Sequence, residues 1–160
     1  KILHFVAGFF GGYFFYFLIS LERNYTFIIR FLGIFYAYLL LGLVLQWIFT
    51  PISASADFGF VFNELSSDAQ NALLRDFTSF FLATFIFSIL GAITLNAAWF
   101  FSAGIVYFGA GIFNLIAIYA HGTEFNQIFF FEFILGAWPT ALALIIILKE
   151  RQNISNQTND

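Results

Sequence analysis

Long apolar blocks separated by short polar stretches dominate the pattern of this chain. The longest block, from Phe77 to Ala120, contains 44 residues and no Asp, Glu, Lys or Arg. As one helix it would be roughly 65 Å long, because a helix rises about 1.5 Å per residue. The hydrocarbon core of a bilayer is only about 30 Å thick. The block therefore predicts two membrane-spanning helices joined by a tight turn, which we place at Asn96 to Trp99.

The other blocks bring the predicted number of membrane helices to five. Polar residues 22–24 separate the first block from the second, and Pro51 ends the second because proline cannot continue a helix. The predicted helices are about 2–21, 26–50, 68–95, 99–119 and 127–148. Residues 51–67 form a polar, acidic loop, and the tail at 149–160 is expected to fray. The predicted fold is all-α: a single integral membrane domain with a four-helix core and a peripheral N-terminal helix.

Local signals refine two of these boundaries. Ser67 and Gln70 match a capping box, with Ser67 as the N-cap of the third helix, and Asp68 suits the positive end of the helix dipole. The first block follows Lys1 and resembles a secretory signal sequence. It offers no small-x-small cleavage site, and its 20 residues reach the spanning length, so we interpret it as a true helix.

Composition supports a membrane location and excludes several function classes. Apolar residues make up 61% of the chain and charged residues 9%, against roughly 25% in soluble domains, and the mean hydropathy is +0.90. The net charge is −3 and basic clusters are lacking, which argues against nucleic-acid binding. The chain has no Cys, so disulfides, thiolate metal sites and cysteine nucleophiles are excluded.

Lys and Arg predict the orientation through the positive-inside rule. With five spans, one side of the membrane carries Arg23, Arg30, Lys149 and Arg151, and the other carries Lys1 and Arg75. This distribution predicts a multi-pass protein of a bacterial inner membrane, with the N-terminus outside and the C-terminus in the cytoplasm. The segment 51–76 would then be extracytoplasmic.

A polar cluster is predicted at the outer membrane face, where the third helix begins, the fourth ends and the fifth begins. Its members are Arg75, Asp76, Asn114, His121, Glu124 and Glu132. Polar groups in a membrane are costly and usually face the protein interior or a cavity. The sequence therefore predicts a ligand-binding or structural polar site at this face.

Glu132 is the most informative member of that cluster, because it is a carboxylate that Phe and Ile surround in the sequence. Arg75 is its expected partner and can bind a carboxylate bidentately. One interpretation is a structural Arg–Glu clasp that fixes helix register. A second is a proton relay, or an anchor for a polar head group in a lipid-lined cleft. A third is a carboxylate that is simply solvated at the interface.

Cofactor signals are weak. His121 and His4 share the outer face and would allow axial ligation of a pigment or haem, although a single His at a helix end is more often a hydrogen-bonding residue. A metal site of His121, Glu124 and Glu132 does not match the helical E-x-x-H spacing. We therefore expect no metal and no catalytic residues, with bound lipids as the expected non-protein component.

Small residues recur at helical spacing and predict close helix contacts. Such stripes occur in three helices: Gly8 with Gly12, Thr84 with Ser88 and Ala92, and Gly136 with Thr140 beside Ala137 with Ala141. Packing within the bundle is the plain interpretation. The alternative is docking to other membrane subunits, for which the Gly8 and Gly12 helix is the best candidate.

Residues 27–148 resemble a family of small bacterial four-helix membrane proteins of unknown function (domain of unknown function 4345). The resemblance rests on a first helix ending in Trp47 and Pro51, a helix entered through Arg75, a loop ending in Gly122, and Glu132 near the start of the last helix. It implies a four-helix membrane fold and draws attention to Arg75 with Glu132. The chain departs from the family pattern at Leu73, Asn114 and His121.

Three functions follow as hypotheses. The first is a non-catalytic accessory or scaffold subunit of a larger membrane complex, with lipids and other membrane subunits as partners. The second is a binding or transport module whose outer cleft holds a lipid-like or quinone-like molecule. The third is a pigment- or haem-binding subunit.

Overall fold

The computed structural model describes the backbone of residues 2–124 and 128–158 and the side chains of residues 24–124 and 130–158. In these ranges every regular element is helical. The α-helices are α1 (Ile2–Phe49), α2 (Pro51–Asp57), α3 (Ser67–Thr94), α4 (Ala97–His121) and α5 (Ile128–Gln157). A short 3₁₀ turn, Phe62–Glu64, lies between α2 and α3. The predicted all-α class is confirmed.

Four of these segments are long and apolar enough to cross a membrane. They are Asn24–Phe49, Ser67–Thr94, Ala97–His121 and Phe130–Gln157. The predicted total of five spans is not supported, because the additional span at 2–21 falls outside the residues whose side chains are described. The predicted division between the first two blocks coincides with Asn24, whose φ of −124° and ψ of 23° interrupt α1.

The predicted loop at 51–67 is wrong, because it contains α2 and the 3₁₀ turn. Pro51 ends α1 as expected but also begins α2, since the first position of a helix needs no backbone N–H and suits the fixed φ of proline. Ala54 and Ser55 bury one face of α2, with 1% and 0% of their surfaces exposed. This short helix covers the end of the bundle where the candidate site lies.

The N-terminus of α3 is capped one residue earlier than predicted. Ser66, not Ser67, accepts a hydrogen bond from the backbone N–H of Ala69 at 3.3 Å. Gln70 does not complete a capping box. Its Nε2 donates to the carbonyls of Phe62 at 3.0 Å and Leu65 at 3.2 Å, so it fastens α3 to the 3₁₀ turn.

The turn between α3 and α4 confirms the predicted fold-back of the uncharged block. Leu95 adopts the left-handed conformation with φ of 54°, and the Asn96 side chain accepts from Ala98 N–H at 2.9 Å. At this end, Arg30 donates to the Ile93 carbonyl at 3.4 Å. That carbonyl belongs to the last turn of α3, where intrahelical partners run out.

The polar tail is helical rather than frayed, which corrects the prediction. Helix α5 continues to Gln157. The reason lies in the sequence: Lys149, Glu150, Arg151 and Gln152 are good helix formers, and neither Gly nor Pro occurs after Pro139. Pro139 itself lies inside the helix.

Helix α1 packs along α3, α4 packs along α5, and the α3–α4 hairpin joins the two pairs. The predicted stripe Thr84, Ser88 and Ala92 is buried, at 0%, 0% and 1% exposure, and so packs within the bundle. The stripe of α5 is only half confirmed. Gly136 and Thr140 pack against Gly104 of α4, whereas Ala137 and Ala141 are exposed.

The docking prediction for Gly8 and Gly12 lies outside the residues whose side chains are described.

Candidate functional site

Pro139 and Tyr36 fix the helices at the base of the candidate site. A proline within a helix leaves the carbonyl four residues earlier without its N–H partner, and here that carbonyl belongs to Leu135. The hydroxyl of Tyr36, which is fully buried in α1, donates to this carbonyl at 2.8 Å. The bond replaces the missing helical partner and joins α1 to α5.

A cavity of about 670 Å³ opens above this joint, at the end of the bundle covered by α2. Its volume lies within the range of about 300–1,000 Å³ that is usual for small-molecule sites. Helices α1, α3, α4 and α5 all contribute, together with the C-terminal end of α2. Most of the wall is apolar and much of it is aromatic: Phe58, Phe77, Phe80, Phe81, Tyr107 and Phe131.

The aromatic rings of the wall are held by their neighbours. Phe77 stacks on the buried Trp47 with ring centres 4.5 Å apart and planes 15° apart, and Phe58 meets Phe77 edge to face at 4.9 Å. Phe80 in turn meets Tyr107 of α4 edge to face at 5.1 Å. Such pairs favour defined geometries and add to the stability gained by burial. Contacts with neighbouring rings therefore hold several of the aromatic side chains of the wall.

Three carboxylates line the cavity: Asp57, Asp76 and Glu132. Asp57 accepts a hydrogen bond from Gln46 Nε2 at 2.9 Å. Asp76 pairs with Arg75 through a 2.7 Å bond from Nε and a 3.3 Å bond from Nη2.

Glu132 is half-buried and has the weakest of the three contacts. It accepts from Asn114 Nδ2 at 3.4 Å. Asp57 and Asp76 are thus well paired, whereas the hydrogen bond that Glu132 makes to the described residues is long.

The structure brings part of the predicted polar cluster together. Asp76 and Glu132 line one cavity, and Asn114 reaches Glu132 from α4. The predicted pairing of Arg75 with Glu132 is wrong. Arg75 pairs with Asp76, and the two side chains are 71% and 65% exposed. The guanidinium thus binds the neighbouring carboxylate on its own helix, α3, rather than Glu132 of α5.

His121 and Glu124 do not join the site. His121 is the last residue of α4 and is exposed, as is Glu124, and neither lines the cavity. The His4 side chain lies outside the described residues, so its predicted pairing with His121 stays a prediction. Within the described part of the chain, no group of three or more His, Asp or Glu residues is arranged to hold a metal.

Two polar residues of the cavity were missed by sequence reasoning: Gln46 and Asp57. Asp57 belongs to the segment predicted as a loop, where an acidic residue carries no structural signal. Gln46 offered one. It is an amide near the end of an otherwise apolar helix, and such residues usually face the protein interior.

Among the described residues, the indole Nε1 of Trp47 is a buried donor behind the wall without a hydrogen-bond partner, and an unmet buried donor costs about 1–3 kcal/mol. The buried Tyr107 hydroxyl lies beside Thr84. The Thr84 hydroxyl donates to the carbonyls of Phe80 and Phe81, each at 3.0 Å, and its oxygen can still accept from Tyr107.

Comparisons with protein-family models, with curated proteins and with solved structures found no match to this chain.

Proposed function

We propose that this protein is a membrane-embedded binding module that holds an amphipathic, lipid-like molecule. The observation that carries the proposal is the cavity of about 670 Å³, whose walls are mostly apolar and also bear three carboxylates. An apolar pocket with a few convergent polar groups is the usual form of a small-molecule site. Its position among four long apolar helices suits a ligand that partitions from the bilayer.

This proposal is favoured over an accessory subunit by two features. A purely structural role for Glu132 called for a clasp with Arg75, yet Arg75 is paired with Asp76. A purely structural subunit would also need no cavity, yet the α2 end of the bundle encloses one. The accessory-subunit hypothesis stays a prediction that the described residues do not specifically favour. The pigment or haem hypothesis has less support still, because His121 is exposed and away from the cavity.

We also propose a topology. In it, residues 2–21 form a fifth span: this apolar block reaches the spanning length, the non-helical backbone of Asn24 separates it from the rest of α1, and Gly8 and Gly12 would allow it to pack closely. The distribution of Lys and Arg then favours an N-terminus outside, a C-terminus in the cytoplasm and a bacterial inner membrane. Membership of the small four-helix membrane family resembled by residues 27–148 is proposed on the same layout.

Quenching of tryptophan fluorescence tests the binding function. The full chain, carrying Trp99→Phe and Trp138→Phe, retains Trp47, which is fully buried against Phe77 of the cavity wall. The protein is placed in nanodiscs of neutral lipid and titrated with a dodecyl maltoside brominated on its chain. Saturable quenching of Trp47 is expected.

A matched pair of variants locates the quencher. Ala110→Phe adds a ring inside the cavity, whereas Ala137→Phe adds the same ring at an exposed position of α5. The first variant should weaken binding about tenfold or more, which corresponds to about 1.4 kcal/mol, and the second should leave it unchanged. Identical curves for the two variants, or no saturation in the parent protein, would refute the proposal. Melting curves confirm that both variants fold.

A further inference from the structure

We infer that the cavity selects a ligand with a positively charged group on an apolar body, as in an alkylammonium amphiphile. This inference rests on the proposed binding function and names the class of ligand. It is carried by the charge of the cavity lining together with the supply of hydrogen-bond donors and acceptors around it.

The charged residues in the described lining of the cavity are all acidic. The charged side chains that line the cavity are Asp57, Asp76 and Glu132, and no Lys, Arg or His occurs among the described lining residues. Arg75 lies beside Asp76, and its guanidinium binds that carboxylate at 2.7 Å. An anionic head group would therefore meet repulsion from the described lining. A cationic head group would meet attraction that strengthens as water is excluded.

The described lining holds few hydrogen-bond donors. Gln46 gives one N–H of its amide to Asp57 at 2.9 Å and keeps a second, and the Tyr107 hydroxyl is sealed from the cavity surface. A neutral acceptor such as a quinone would find only the second Gln46 N–H among the described side chains of the lining. Carboxylates, by contrast, each offer several acceptor positions. The site is built to receive a donor or a cation.

Glu132 is the residue on which we expect the cation to depend most. It is half-buried, and its hydrogen bond from Asn114 is 3.4 Å long. Most of its acceptor capacity therefore remains for a ligand. The rings of Phe77 and Tyr107 belong to the same wall, and aromatic faces attract ammonium groups.

A series of head groups tests the inference. Four amphiphiles share one brominated dodecyl chain and carry trimethylammonium, phosphocholine, maltoside or sulfate. Each is titrated against the Trp47 reporter in neutral nanodiscs. The trimethylammonium compound should bind about tenfold more tightly than the maltoside, and the sulfate about tenfold more weakly.

The possible outcomes separate the two proposals. Saturable binding with equal affinities for all four head groups would overturn the charge selection and leave the binding function standing. Tighter binding of the maltoside or the sulfate than of the trimethylammonium compound would also overturn it. An absence of saturable binding for every compound would remove both.

Two substitutions test whether the preference for a cation comes from a carboxylate in the cavity or from the overall negative charge at this end of the bundle. Glu132→Gln removes the charge within the cavity, whereas Glu64→Gln removes an exposed charge from the 3₁₀ turn at the same end. The preference for the cation over the maltoside should fall about fivefold in the first variant and less than about twofold in the second. Equal losses in both would overturn the assignment to Glu132. If Glu132→Gln does not fold, Asp57→Asn tests the charge selection of the cavity in its place, against the same Glu64→Gln control.

Discussion

The hydrogen bond from Tyr36 to the Leu135 carbonyl solves a problem created by one residue, Pro139. Proline removes an N–H from α5, and a hydroxyl from α1 takes its place at 2.8 Å. The bond is partly buried and Tyr36 itself is fully buried, so water has restricted access to the carbonyl when the hydroxyl is lost. Its contribution should consequently be larger than that of an exposed bond.

Replacement of Tyr36 by Phe tests this bond. Tyr36→Phe should lower the free energy of unfolding by about 1–3 kcal/mol, because the Leu135 carbonyl is left unpaired. Tyr38→Phe removes an equivalent hydroxyl from a side chain that is 70% exposed, and should have little effect. Unfolding by sodium dodecyl sulfate in a mild detergent provides the measurement.

A second substitution makes the test specific. Pro139→Ala restores an N–H to α5, so it should rescue most of the loss caused by Tyr36→Phe. Additive effects of the two substitutions would show that the hydroxyl does not substitute for the missing N–H.

At the scale of the elements, the helices approach closely where a ring of one lies over glycines of others. Phe100 of α4 is fully buried, and a Cβ at Gly91 of α3 would come within 2.9 Å of its ring. Gly33 of α1 lies under the same ring, with a corresponding distance of 2.7 Å. Three helices therefore converge on one aromatic side chain at the end of the bundle opposite the cavity.

Two glycine substitutions should have opposite effects on stability. Gly91→Ala forces the Phe100 ring to move and should destabilise the protein by about 1–3 kcal/mol. Gly109→Ala lies in α4, where a Cβ would meet nothing within 4 Å, and should stabilise it by about 0.5–1 kcal/mol through helix propensity. Unfolding curves of both variants give the sign, and stabilisation by Gly91→Ala would contradict the close packing.

At the scale of the whole molecule, α2 and the C-terminal end of α5 lie at opposite ends of the bundle, which we expect to lie on opposite sides of the membrane. Because the chain contains no Cys, a single introduced cysteine shows on which side of the membrane its position lies, without labelling of native residues. Ser53→Cys in α2 should react with a membrane-impermeant maleimide in intact cells, whereas Asn153→Cys in α5 should react only after lysis. The reverse pattern would overturn the proposed orientation.

The same labelling shows whether the chain crosses the membrane four or five times. Ile2→Cys should react together with Ser53→Cys if residues 2–21 cross the membrane, and together with Asn153→Cys if they do not.

The helical architecture follows from the sequence because lipid leaves the backbone few choices. A long apolar segment must satisfy its own backbone hydrogen bonds, and a helix does so locally. The block from Phe77 to Ala120 therefore predicts its own hairpin, and the hairpin correctly returns Asp76 and Asn114 to one end.

The site was harder to predict. The cavity depends on how side chains of four helices and α2 fail to fill one space, and α2 was hidden in a segment that resembles a loop. The partner of Arg75 was predicted wrongly because two carboxylates were available, the neighbouring Asp76 and the more distant Glu132. The pattern of apolar blocks does not indicate which of them pairs with the guanidinium.

The Tyr36 and Pro139 pair also has an evolutionary consequence. Each residue is tolerable chiefly because the other is present: the proline leaves a carbonyl exposed to an apolar core, and the buried hydroxyl needs that carbonyl. Among divergent sequences that share this fold, the two positions should vary together, so that loss of the proline relaxes the requirement for tyrosine. Such paired change would identify relatives of this chain where overall similarity has faded.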